Sequence, residues 1–125
     1  MQYGAVAGLK GDQSEPKAIL AELQARRDAA VAGLNAIDGV RTYTPESTFY
    51  LFPHVTELAE RKGLLDYEAF RRAALHATGV SFTTRLHFGR VQPGEADKYI
   101  RLAYSGIDVP DIEEGLAKLK DWAEA

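Results

Sequence analysis

Arg101 sits in the stretch DKYIRLAYSG, where its apolar neighbours spell a β-strand and a guanidinium is out of place. Arginine is almost never fully buried unless it is paired. Strand alternation sets Ile100, Leu102 and Tyr104 on one face and Tyr99, Arg101 and Ala103 on the other, so the guanidinium projects from a face that must be wet, paired or a binding site. The residues alone leave two readings open. One is a structural ion pair or an exposed arginine; the other is a carboxylate receptor, because a fork of fixed donors matches a planar carboxylate in a bidentate pair.

Other chemistries find less support. His54, His76 and His87 are far apart, and none stands at metal-ligand spacing from another His, Asp or Glu, so each reads as an ordinary surface or hydrogen-bonded histidine and no metal site is expected. A nucleophile signature such as G-x-S-x-G is missing, and the glycines of residues 4–11 form neither G-x-G-x-x-G nor a Walker motif. The paired acids Glu113 and Glu114, with Asp108 and Asp111, read as a helix start, where negative charge favours the dipole. Cysteine is absent, which removes disulfides and thiol catalysis together.

The elements that must carry Arg101 follow from the hydrophobic pattern. Ser14 as N-cap and Pro16 in the first turn open a long amphipathic helix over residues 14–37, with Ile19, Leu20, Leu23, Ala30, Leu34 and Ile37 along its apolar stripe. Arg27 falls within that stripe; it is read as a snorkelling rim residue or as the mark of a surface packing beyond this chain. Residues 40–43 suggest a short strand, and the β-branched and aromatic run 48–52, ended by Pro53, a firmer one. A brief helix is expected over 56–62, closed by Gly63. Asp66 caps the next, with Phe70, Ala73, Ala74 and Ala77 inward and Gly79 as its C′ residue.

An extended segment at 80–82, a long polar loop over 83–97 and a strand at 99–104 come next. The last helix opens on the capping box Asp111-x-x-Glu114 and buries Ile112, Leu116, Leu119, Trp122 and Ala123. The expected fold class is α+β: a small antiparallel or mixed sheet packed against helices and preceded by a long N-terminal helix.

Composition bounds the partners. The 125 residues, 46% of them hydrophobic, have the make-up of one globular domain. A formal net charge of -3, with acids and bases interspersed, offers no basic block for a phosphate backbone, so nucleic acid is not an expected partner. No apolar run approaches the roughly 20 residues that span a bilayer, and Met1 is not followed by a signal-like segment. A cytoplasmic protein without a membrane partner is the expectation.

The collinear blocks RRDAAVAGLNAIDGV, PESTFYLFP, HATGVSF, HFGR and YIRLAYSGIDVPDIEEGLAKL resemble the C-terminal small domain of the class I/II aminotransferases, the fold-type I pyridoxal-phosphate enzymes related to aspartate aminotransferase. In that family the arginine of the block matching YIRLAYSG grips the substrate α-carboxylate, so the resemblance implies this role for Arg101. It also places the 83–89 loop near the active-site mouth, which makes Arg85, His87 and Arg90 possible contacts to a substrate side chain, with Tyr50 lining the same side; solvated loop charges and core packing are the alternatives. Two departures stand out: Ser47 where many relatives have glycine, and TTRLHFG where many have P-G-x-x-F-G.

The resemblance implies pyridoxal phosphate in a full-length enzyme, with amino acids and 2-oxo acids as substrates and a homodimer as the usual assembly. None of Lys10, Lys17, Lys62, Lys98, Lys118 and Lys120 stands in a Schiff-base context, so no cofactor-binding residue is assigned and no cofactor is expected in this chain alone. Residues 1–13 read as a remnant of the large domain and bridge, and 14–125 as the small domain. The expected function is therefore that of a C-terminal aminotransferase fragment, inactive without its large domain and prone to self-association. A free-standing carboxylate-binding or interaction module is the alternative.

Overall fold

The computed structural model describes all 125 residues. Helix α1 (Gln2–Lys10) is followed by a turn and the long α2 (Ser14–Asn35). The chain continues through β1 (Tyr50–Leu51), α3 (Thr56–Arg61), α4 (Tyr67–Thr78), β2 (Thr83–Thr84), a 3₁₀ turn (Arg85–Phe88), β3 (Ile100–Ala103) and α5 (Val109–Glu124). The architecture is α+β, as expected. β3 is the central strand of an antiparallel sheet in the order β1-β3-β2, with Leu51 opposite Leu102 and Thr83 opposite Arg101.

The core lies between the sheet and the helices. Leu34 and Ile37 from α2 and its end, Leu51, Leu58, Phe70, Ala74, Phe82, Ile100 and Tyr104 meet Ile112, Leu116, Leu119 and Ala123 of α5 in one cluster. Helices α2 and α5 approach closely because position 33 is glycine: a Cβ there would stand 2.6 Å from Leu116 Cδ1 and 3.1 Å from its Cβ. Arg26 ties the same pair together from the rim, donating to the Ser105 carbonyl at 2.7 Å and to the Asp108 carboxylate at 2.8 Å. Arg27 lies along the surface and reaches Asp28 at 2.8 Å and the Pro45 carbonyl at 3.3 Å.

Several boundaries differ from the sequence expectation, each through a competing hydrogen bond or backbone constraint. Ser14 lies inside α2 rather than capping it, because its backbone N–H and hydroxyl both donate to the Asp12 carboxylate. These bonds hold the Asp12 carboxyl below its usual range. Ile19 and Leu20 are exposed, since the core contacts of α2 begin only at Leu23. Residues 40–43 form no strand beyond an isolated bridge from Arg41 to His54, because the Asn35 side-chain amide takes both backbone groups of Thr42.

The 48–52 strand shrinks to two paired residues. Thr48 has φ 70, a left-handed conformation costly for a β-branched residue, and its carbonyl is held by the Tyr104 hydroxyl at 2.9 Å. In α4, Asp66 caps as expected, accepting from the Ala69 N–H, and Gly79 ends the helix at φ 75. Ala77 is exposed and Thr78 takes its inward place. The Thr78 hydroxyl then accepts the Val80 N–H, so pairing starts at Thr83 instead of Val80. Helix α5 begins at Val109, ahead of the expected box; Asp108 is its N-cap residue, but Arg26 draws the Asp108 carboxylate away from the helix end.

Candidate functional site

The fold brings Arg101, Tyr50 and Phe88 to one side of the sheet. β3 supplies Arg101 at its centre, β1 supplies Tyr50 through the register that sets Tyr50 opposite Ala103, and the 3₁₀ turn after β2 supplies Phe88. The guanidinium carbon of Arg101 lies 4.2 Å from the Tyr50 ring centroid and 4.3 Å from that of Phe88, so the cation is in contact with two aromatic rings. Cation–π attraction of this kind is worth about 0.5–1 kcal/mol per exposed contact and more where water is excluded.

Arg101 has no carboxylate partner. Every other arginine that forms an ion pair does so with a neighbour in this chain: Arg26 with Glu22 and Asp108, Arg27 with Asp28, Arg41 with Glu57, Arg61 with Asp38, Arg71 and Arg72 with Glu68, and Arg85 with Glu95. The Arg101 guanidinium is half-buried, in contact with two rings and without a carboxylate partner in this chain.

Arg85 and His87 occupy the same loop but are engaged within it. Arg85 Nε lies 3.0 Å from Glu95 Oε1, and its other nitrogens reach Glu95 Oε2 at 3.1 Å and the carbonyls of Gly89 and Arg90 at 3.3 and 3.2 Å. His87 Nδ1 accepts the Thr84 N–H at 3.1 Å and closes a capping box with the Thr84 side chain. Both brace the turn that presents Phe88, while Arg90 is exposed. Phe88 escaped the sequence reading. Its one signal was its place in the HFGR block, since its contact with Arg101 depends on how the turn folds back.

The other titratable clusters lie elsewhere. His54 sits beside Thr56 and Asp97, with its ring edge-on to Tyr99, and His76 is in the last turn of α4. No three His, Asp or Glu side chains converge as a metal site. The lysines do not gather at Arg101 either: Lys62 lies over Trp122, Lys98 over Tyr67, and Lys118 and Lys120 pair with Glu114 and Glu124. The residues of this chain therefore do not fit a covalently held pyridoxal phosphate, which requires a lysine amine at the reacting centre.

The α+β layer with this sheet and helix order is that of the small domain of the fold-type I aminotransferases, and the chain is a homologue of the aspartate-aminotransferase-like members of that class. It is 29% identical over 124 residues to the aspartate aminotransferase of Bacillus subtilis, covering 98% of this chain and 30% of that protein. It is 38% identical over 121 residues to a probable aspartate/prephenate aminotransferase of Aquifex aeolicus, covering 95% of this chain and 28% of the relative. The crystal structure of the aspartate aminotransferase from Rhizobium meliloti superposes with a TM-score of 0.78 at 26% identity, over 96% of this chain and 30% of that one. The alanine aminotransferase from Pyrococcus furiosus gives the same TM-score at 25% identity, over 98% of this chain and 29% of that one. No family model matches the chain. The chain thus spans about 30% of the length of the curated relatives it matches.

Proposed function

We propose that this chain acts as the substrate-gripping small domain of a pyridoxal-phosphate-dependent aminotransferase, with Arg101 as the receptor for the α-carboxylate shared by amino acids and 2-oxo acids. The observation that carries the reading is the Arg101 guanidinium, without a carboxylate partner and in contact with the rings of Tyr50 and Phe88. Residues 14–125 form the domain and 1–13 the bridge towards a large domain, a division supported by α1, which buries none of its residues. The large domain supplies the Schiff-base lysine and the phosphate-binding groups. The cofactor brings the chemistry of amino-group transfer when bound there, and the whole enzyme works as a homodimer.

Arg101 donates two parallel N–H···O bonds to the carboxylate, edge-on, which fixes the substrate's orientation as well as its position. Tyr50, whose ring lies against the guanidinium, lines the substrate side. Arg85 and His87 act on the substrate indirectly, by holding the loop at the mouth of the site.

The test is Arg101→Lys in an enzyme in which this chain is joined to a matching large domain. Lysine keeps the charge and loses the planar fork. Rate with an amino acid should fall about 10- to 100-fold for each charged hydrogen bond lost. An amine lacking the α-carboxylate should lose far less, and cofactor absorbance should be unchanged. Equal losses for both substrates would refute the assignment.

A further inference from the structure

Arg101 is held from two sides that are built differently. Tyr50 is fixed by the β1–β3 register, whereas Phe88 is delivered by a turn and is 45% exposed, so burial in the core does not hold its ring in place. Phe88 stacks on no other aromatic ring; its ring partner is the Arg101 guanidinium at 4.3 Å. What fixes the turn is a set of bonds that never touch Arg101: the His87 cap on Thr84, the Arg85–Glu95 pair, and the Arg85 donors on the Gly89 and Arg90 carbonyls. The Glu95 carboxylate also accepts the Gln92 N–H at 3.0 Å, which ties the far side of the loop into the same anchor.

We propose that Phe88 is a positioning residue of the carboxylate receptor: it closes the second face of the Arg101 guanidinium, and the Arg85–Glu95 pair and the His87 cap keep it there. This rests on the reading of Arg101 as that receptor. In that arrangement, with a ring on each face, the guanidinium offers its donors only at its edge, in its own plane, which is where a flat carboxylate binds. Because the rings immobilise the side chain before the ligand arrives, less rotamer freedom is lost on binding. The Thr83–Gly89 loop then has a definite task, which is to hold Phe88 against Arg101.

The proposal can be tested on the ¹⁵N-labelled chain by nuclear magnetic resonance, with the Arg101 side-chain Nε–Hε signal identified by its loss in Arg101→Lys and sodium acetate as the probe. Two rings over the cation should shift that signal upfield of the other arginines and slow rotation about the Nε–Cζ bond. Phe88→Leu keeps apolar volume without a ring, so the signal should move towards the position of free arginine, rotation should quicken, and acetate affinity should drop roughly two- to five-fold. Phe88→Tyr should restore all three, and Arg85→Gln should give part of the Phe88→Leu effect. Acetate binding and an Arg101 signal unchanged in Phe88→Leu would overturn the clamp while leaving the receptor intact. Failure of acetate to perturb Arg101 in the unaltered chain would instead overturn the receptor reading beneath it.

Discussion

Tyr67 and Tyr104 keep their hydroxyls bonded while their rings enter the core. Tyr67 accepts the Tyr99 N–H at 3.2 Å, and Tyr104 donates to the Thr48 carbonyl at 2.9 Å. Burial pushes both phenols above their ordinary value, which is about 10. The unfolded chain therefore deprotonates first as pH rises. Stability from these two groups is full below about pH 10 and is lost as pH climbs through their higher folded-state values. Urea midpoints measured from pH 8 to 11 should fall at the alkaline end, and Tyr104→Phe should flatten that fall while costing about 1 kcal/mol at neutral pH for the lost hydrogen bond. Thr48, on the other side of that bond, holds φ 70 without being glycine. Thr48→Gly should raise the midpoint by the equivalent of about 1 kcal/mol, since left-handed backbone costs a β-branched residue roughly that much.

At the scale of elements, the contact between α2 and α5 sets how the helical layer sits on the sheet. Gly33 is a poor helix former at an interior position, yet alanine there would drive its Cβ into Leu116, whose own Cβ would be 3.1 Å away. Gly33→Ala should destabilise the fold by about 1–3 kcal/mol in spite of the propensity gain, as overpacked cores do. Thermal unfolding followed by circular dichroism would show it. Leu116→Ala, costly by itself because the leucine is buried, should combine with Gly33→Ala less than additively, because part of the obstruction is the leucine side chain. The start of α4 offers a simpler case: Asp66→Ala removes the acceptor for the Ala69 N–H and should cost about 1 kcal/mol.

At the scale of the whole molecule, the N-terminal helices carry apolar surface that the chain leaves uncovered. Tyr3 is 93% and Leu9 83% exposed on α1, and Ile19 and Leu20 extend the apolar surface onto the first half of α2. Under the proposed function the rest of the enzyme covers this surface, and without it such a patch promotes association. Sedimentation of the chain should show concentration-dependent self-association. Deleting residues 1–13 should weaken it while leaving the unfolding midpoint nearly unchanged, since α1 contributes nothing to the core. A midpoint that drops sharply on this deletion would mean that α1 is part of the folded unit and not a bridge.

The α+β class, the four principal helices with α5's buried face, the Asp66 and Gly79 caps of α4 and the two-faced strand around Arg101 were legible in the sequence, because helical spacing, capping chemistry and alternation are local properties of the chain. The collinear blocks carried the relationship to the aminotransferases for the same reason. The 40–43 segment was misread as a strand because its backbone partner is a side chain, Asn35, standing on another element. The starts of α2 and α5 shifted because Asp12 and Arg26 compete for the groups that local rules assign to the caps. The Arg101 site divides along the same line. Alternation shows that a guanidinium leaves the apolar face, but whether it is paired depends on which carboxylates folding brings near, and Glu95 goes to Arg85 instead. That Tyr50 and Phe88, from two distant stretches, close on the one arginine left unpaired by a carboxylate in the sheet was decided by strand register and by the fold of a turn, both of which exist only once the chain has packed.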